Sequence, residues 1–183
     1  MHPPIELTQE TITDSRVKLA HSYWVGAKRG RHMPARSDID PLDLRVCLGW
    51  ICMIEVVDGA PKRFRYRLDG SKLVETTGFD LTGKYVDQIE SEDYRQIANF
   101  VYSRVVQSRA PLFLGSTEDW LQSGFYMESV TLPLSEDGEN VSVLMEVICP
   151  AKTLRPGETF KYLSKAHPRL PFPSPERIRH DET

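Results

Sequence analysis

In Arg63-Phe64-Arg65-Tyr66-Arg67-Leu68, three apolar side chains alternate with three arginines. Strict alternation is the signature of a strand with one buried face, because successive side chains leave a strand on opposite sides. An apolar run from Trp50 to Val57 precedes it, and the intervening Asp58-Gly59-Ala60-Pro61 supplies the Gly and Pro that turns need. The two runs form a hairpin, and the rest of the chain must supply the layers that cover its apolar side.

Those layers are readable from the changing period. Leu19, Ala20, Tyr23, Trp24 and Ala27 fall at helical spacing, with Asp14 or Ser15 as cap and Gly30 beyond the basic end. Asp40-Pro41 opens a short helix that stops near Gly49. The stretch from Gly70 to Gly83, broken again at Gly78, suits one or two helical turns. Ser91 caps a longer helix in which Ile97, Val101 and Val105 repeat every fourth residue until Ala110-Pro111. Three strands follow, over Pro111 to Ser116, Phe125 to Leu134 and Val141 to Ile148, the last two joined by a turn at Glu136-Asp137-Gly138. Five strands joined by hairpins on either side of a helical crossover define an α+β domain. Residues 1–12 read as a flexible leader and 13–150 as the domain. Residues 151–183 read as a proline-rich basic tail, since 150–183 hold six of the 13 prolines and seven Lys/Arg against four Asp/Glu.

Composition narrows the function. With 40% hydrophobic residues the 183-residue chain can build a core, and 23 basic against 26 acidic side chains leave no global positive field for a nucleic-acid backbone. The longest apolar stretch without a charge, Val46 to Ile54, is nine residues, against the ~20 that a membrane span requires. MHPPIELTQE has no secretory pattern, so the expected location is cytoplasmic. Cys47, Cys52 and Cys149 sit in apolar runs and read as buried free thiols; no metal site is expected from them. Phosphate-cradling glycines, a Gly-x-Ser-x-Gly elbow and a His-Glu-x-x-His helix are missing, so the chain is not expected to be an enzyme.

The string Gly78-Phe79-Asp80-Leu81-Thr82-Gly83-Lys84, followed by Asp87-Gln88-Ile89-Glu90-Ser91-Glu92-Asp93, resembles the middle of bacterial PAS domains, and Tyr126 to Leu134 with Glu136-Asp137-Gly138 resembles their last hairpin. Trp24, Gly30, Arg31, Pro34 to Pro41 and Arg63 to Leu68 are similar to the small single-domain bacterial PAS proteins. The resemblance implies a PAS fold: a five-stranded antiparallel sheet with flanking helices and an N-terminal helix, curved around a cavity in which some members bind haem, flavin, carboxylates or other small molecules. The light-sensing flavin members carry an Asn-Cys-Arg segment on the central helix, where this chain has Ile97-Ala98-Asn99-Phe100. Haem needs an axial ligand, yet His21 and His32 lie early in the chain and His167 and His180 in the tail. No cofactor is therefore expected, while an unknown small molecule stays open.

The two-residue period places Phe64, Tyr66 and Leu68, with Val143, Met145 and Val147, toward that cavity. Such a stripe is core first and ligand wall second. Arg31 and Arg36, in the basic connector Lys28 to Arg36, are candidate clamps for an acidic ligand, although Asp38, Asp40 and Asp43 are close enough to pair with them. The resemblance further implies that the N-terminal helix mediates dimers, with Tyr23 and Trp24 as contact residues. Together these expectations describe a cytosolic, non-catalytic sensory or regulatory module acting through a small ligand, a homodimer or a signalling partner. The alternatives are a carrier or enzyme for an acidic metabolite, and a ligand-free scaffold.

Overall fold

The computed structural model describes residues 4–117 and 125–153. Its elements are β1 (Ile5–Leu7), α1 (Ser15–Ala27), β2 (Ile51–Val57), β3 (Arg63–Leu68), α2 (Ser71–Thr77), α3 (Glu92–Ser108), β4 (Leu112–Thr117), β5 (Phe125–Leu134) and β6 (Val143–Thr153). All strands join one antiparallel sheet in the order β1-β4-β5-β6-β2-β3. α1 packs against one face, and α2 and α3 cover the other.

Local chemistry sets each boundary. Asp14 caps α1, its carboxylate accepting from the backbone N–H groups of Arg16 and Val17. Ser91 caps α3 by accepting from Tyr94 N, with Glu92 and Asp93 in the positive first turn. α3 buries Ala98, Val101, Tyr102 and Val105, the i, i+3, i+4, i+7 stripe of a helix lying on a sheet. The turn between β5 and β6 is locked by Asp137, whose carboxylate accepts from the backbone of Glu139 and Asn140 and from Ser135 Oγ.

Three expectations are corrected. The sheet has six strands, not five, because Ile5–Leu7, inside the stretch read as leader, pairs with β4; Ile5, Leu7 and Ile12 are buried. A three-residue strand is too short to display a period. The helix expected after Pro41 is a set of turns ending in a 3-10 turn at Arg45–Cys47, held by i→i+3 bonds such as Cys47 N to Leu44 O at 2.8 Å. β6 continues to Thr153, past the expected tail boundary, with Pro150 opposite Met127 beside a register shift, the kind of place where a strand tolerates proline. The remainder of the tail, 154–183, lies outside the described residues.

The segment between β3 and α3 positions the candidate site. Gly49, at a φ of 86°, aims its carbonyl at the start of α2, where the N–H groups of Lys72 and Leu73 donate to it at 2.9 and 3.1 Å. Further on, Gly83 N donates to Tyr66 O and Tyr66 N donates to Lys84 O, which covers the free edge of β3. Residues 69–91 thereby form a wall standing off the sheet rather than collapsing onto it.

Candidate functional site

Between that wall and the sheet lies a cavity of about 590 Å³. α2 contributes Leu73, Thr76 and Thr77; the following loop contributes Phe79, Leu81 and Lys84; Gln88 to Ser91 and Tyr94 close one side. Cys52, Met127 and Ile148 form the floor, and Asp69 stands at the end of β3. The volume lies in the range of small-molecule pockets, and the mixture of apolar walls with a few polar groups is the composition such pockets have.

A buried polar chain runs from the cavity into the core. Tyr94, a wall residue, shares a hydrogen bond of 2.6 Å with the Tyr66 hydroxyl, which is 2.7 Å from that of Tyr102. Tyr102 donates to Glu146 Oε2 at 2.8 Å, and Thr131 donates to Oε1 at 3.2 Å. Since Tyr102 gives its only proton to Glu146, the protons line up as Tyr94 to Tyr66 to Tyr102 to the carboxylate. Burial pushes Glu146 up to about 7, opposed by the bonds from Tyr102 and Thr131. Burial likewise pushes the Tyr66 and Tyr102 hydroxyls and the Cys52 thiol well above their ordinary values. Asp69, also raised by burial, accepts from Cys52 Sγ at 3.2 Å and Leu81 N at 3.0 Å.

The sequence-predicted residues divide sharply. Phe64 and Tyr66 face α3, with the Phe64 and Tyr102 rings 5.4 Å apart, and Tyr66 reaches the cavity through Tyr94. Val143 and Met145, with Val147, face α1 instead. Glu128 bonds the Thr13–Asp14 backbone ahead of α1, and its partner Cys149 shares their side of β6, while Glu146 points to α3. The correction is a shift of one residue: β6 is buried on both faces, so an apolar run there does not say which set looks inward. Leu68 is half exposed and stands opposite Met53, just beyond a register shift.

Arg31 and Arg36 lie away from the cavity wall. Arg31 pairs with Asp38 and donates to Lys28 O, and Arg36 donates to Ile39 O while its backbone N–H reaches Glu136. Tyr23 pins the same connector, donating to Asp38 O at 3.2 Å and accepting from Asp40 N at 2.9 Å. Trp24 is buried on its own sheet and donates to Pro133 O at 2.8 Å. The outer arginines are also engaged, Arg63 with Asp87 and Arg65 with Glu55.

This architecture agrees with a comparison against protein-family models, in which the model described as PAS domain matches residues 13–148. The chain belongs to the PAS domain family. Among curated proteins, none matches it at a significant level. PAS domains are in general non-catalytic sensory or regulatory modules that commonly mediate protein interaction and dimerisation. No helix among the described residues of this PAS domain is long and apolar enough to cross a membrane.

The residues that sequence reasoning missed are Glu146, Tyr94, Tyr102, Asp69 and Cys52. One signal was available for Glu146: a lone acid within Val143-Leu144-Met145-Glu146-Val147-Ile148-Cys149 must either find buried partners or break the strand.

Proposed function

We propose that this PAS domain is a cytoplasmic, non-catalytic sensory or regulatory module whose input is a small molecule held in the cavity behind α2. The observation that carries this reading is the junction of that cavity with the Tyr94-Tyr66-Tyr102-Glu146 chain. A ligand touching Tyr94 perturbs hydrogen bonds that run through β3, α3 and β6 at once, so occupancy is felt across the sheet. The thiol on the cavity floor, Cys52, is held protonated by burial, which suits a wall residue better than a nucleophile.

Output in this reading is non-covalent contact with another protein, whether a second copy or a signalling partner. The burial of Trp24 and the bonds that tie Tyr23 to the Asp38–Asp40 connector weigh against these two side chains as its contact residues. An arginine clamp for an acidic metabolite is disfavoured by the positions of Arg31 and Arg36. The test is a fragment screen read by amide NMR on the full chain. Binders shift the amides of Leu73, Leu81 and Tyr94, and Ile148→Trp, which fills the floor, abolishes those shifts; binders that ignore Ile148→Trp would refute the assignment.

A further inference from the structure

We propose that the cavity takes a cationic amphiphile, a small molecule carrying an ammonium or amidinium group on an apolar body, with its charge seated on Asp69. This deepens the ligand-binding reading above and rests on it.

Two carboxyl groups without a basic partner among the described residues flank the cavity, Asp69 half-buried and Glu146 buried. Asp69 closes the cavity at the end of β3, and Glu146 lies behind the tyrosines; among the described residues neither carboxylate has a Lys, Arg or His nitrogen within ion-pair distance. Burial raises the proton affinity of both carboxyls, the negative charge of Asp80 adds to it at Asp69, and that of Asp69 adds to it at Glu146. An uncompensated buried carboxylate is costly, and a ligand cation would offset that cost. An anionic ligand would meet two like charges in a site of low dielectric.

Asp69 also has room to accept. A carboxylate offers about four acceptor positions, of which the Cys52 thiol, Leu81 N and Gly70 N occupy three. The cationic member of the cavity wall, Lys84, is an exposed residue, as is Glu90. Inside, Leu73, Met127, Ile148 and Leu81 offer apolar surface. Acid at one end and hydrocarbon along the walls select a ligand whose two ends differ in the same way.

Three probes on one phenylethyl body separate the possibilities: 2-phenylethylammonium, 2-phenylethanol and 3-phenylpropanoate, titrated into the full chain and followed by amide NMR. The expected result is that the ammonium shifts the Gly70 and Leu81 amides and binds at least about tenfold tighter than the alcohol, as a charge-assisted hydrogen bond implies. Asp69→Asn, which keeps an oxygen for Leu81 N, should erase that preference, bringing the ammonium to the affinity of the alcohol in the same variant. The three-probe comparison on the unsubstituted chain stands even if the variant fails to fold. Alcohol or phenylpropanoate binding as tightly as the ammonium, or ammonium affinity untouched by Asp69→Asn, would overturn the cation preference while leaving the cavity as a ligand site. Failure of all three to move cavity amides would overturn both.

Discussion

Glu146→Gln removes a buried ionisable group while keeping an oxygen to accept from Tyr102. In the folded chain burial lifts this carboxyl from its ordinary value of 4.5 to about 7. At about 1.4 kcal/mol per tenfold change in proton affinity, that rise is worth about 3 kcal/mol. The sign follows from linkage. Below the unfolded value both states hold the proton and Glu146 contributes no slope. Between the unfolded and folded values the unfolded chain loses the proton first, so folding becomes less favourable as pH rises, and the loss is complete above the folded value. Urea unfolding followed by tryptophan fluorescence, from about pH 4 to about pH 8, should show the variant gaining about 3 kcal/mol on the unsubstituted chain across that window. Two parallel pH profiles would mean that Glu146 ionises as freely folded as unfolded, and the buried chain of hydroxyls would lose its acceptor.

Three other substitutions probe separate parts of the account. Tyr66→Phe deletes the hydroxyl bridging Tyr94 and Tyr102, and should cost about 2 kcal/mol in the same unfolding assay because both partners lose a buried bond; a change within error would show that the bridge does not form. Glu128→Ala strips Thr13 N, Thr13 Oγ1 and Asp14 N of their acceptor, with an expected loss of about 3 kcal/mol and early hydrogen exchange at the start of α1; unchanged exchange there would refute the anchor. Gly70→Ala would set a methyl 2.3 Å from the backbone carbonyl oxygen of Gly49, which cannot swing aside as a side chain could, so soluble yield or melting temperature should fall sharply; normal melting would mean that Gly49 and Gly70 are not in contact.

Much of the architecture is visible in the chain because its elements are half-buried. Arg63 to Leu68 shows its period since arginines occupy one side, and α3 is marked by Ser91, two acids and a repeating apolar stripe. Where both sides of an element are covered, the period vanishes, and that is why Met145 rather than Glu146 is the natural sequence choice for the inner face of β6. Tyr66 could be singled out because a buried hydroxyl demands a partner, but its partners Tyr94 and Tyr102 are non-local. They meet it only after α3 crosses back over the sheet. Gly70 reads as punctuation in the sequence; its contact with Gly49 belongs to tertiary structure. Arg31 and Asp38 are seven residues apart and their pairing was legible, since the connector brings charge and countercharge together locally.

Occupancy of the cavity tests the central claim most directly. Native mass spectrometry of the full chain as purified should show, beside the apo mass, a species heavier by one small molecule that leaves on denaturation and is missing from Ile148→Trp. A spectrum containing the bare chain alone, or an adduct retained unchanged by Ile148→Trp, would contradict the account.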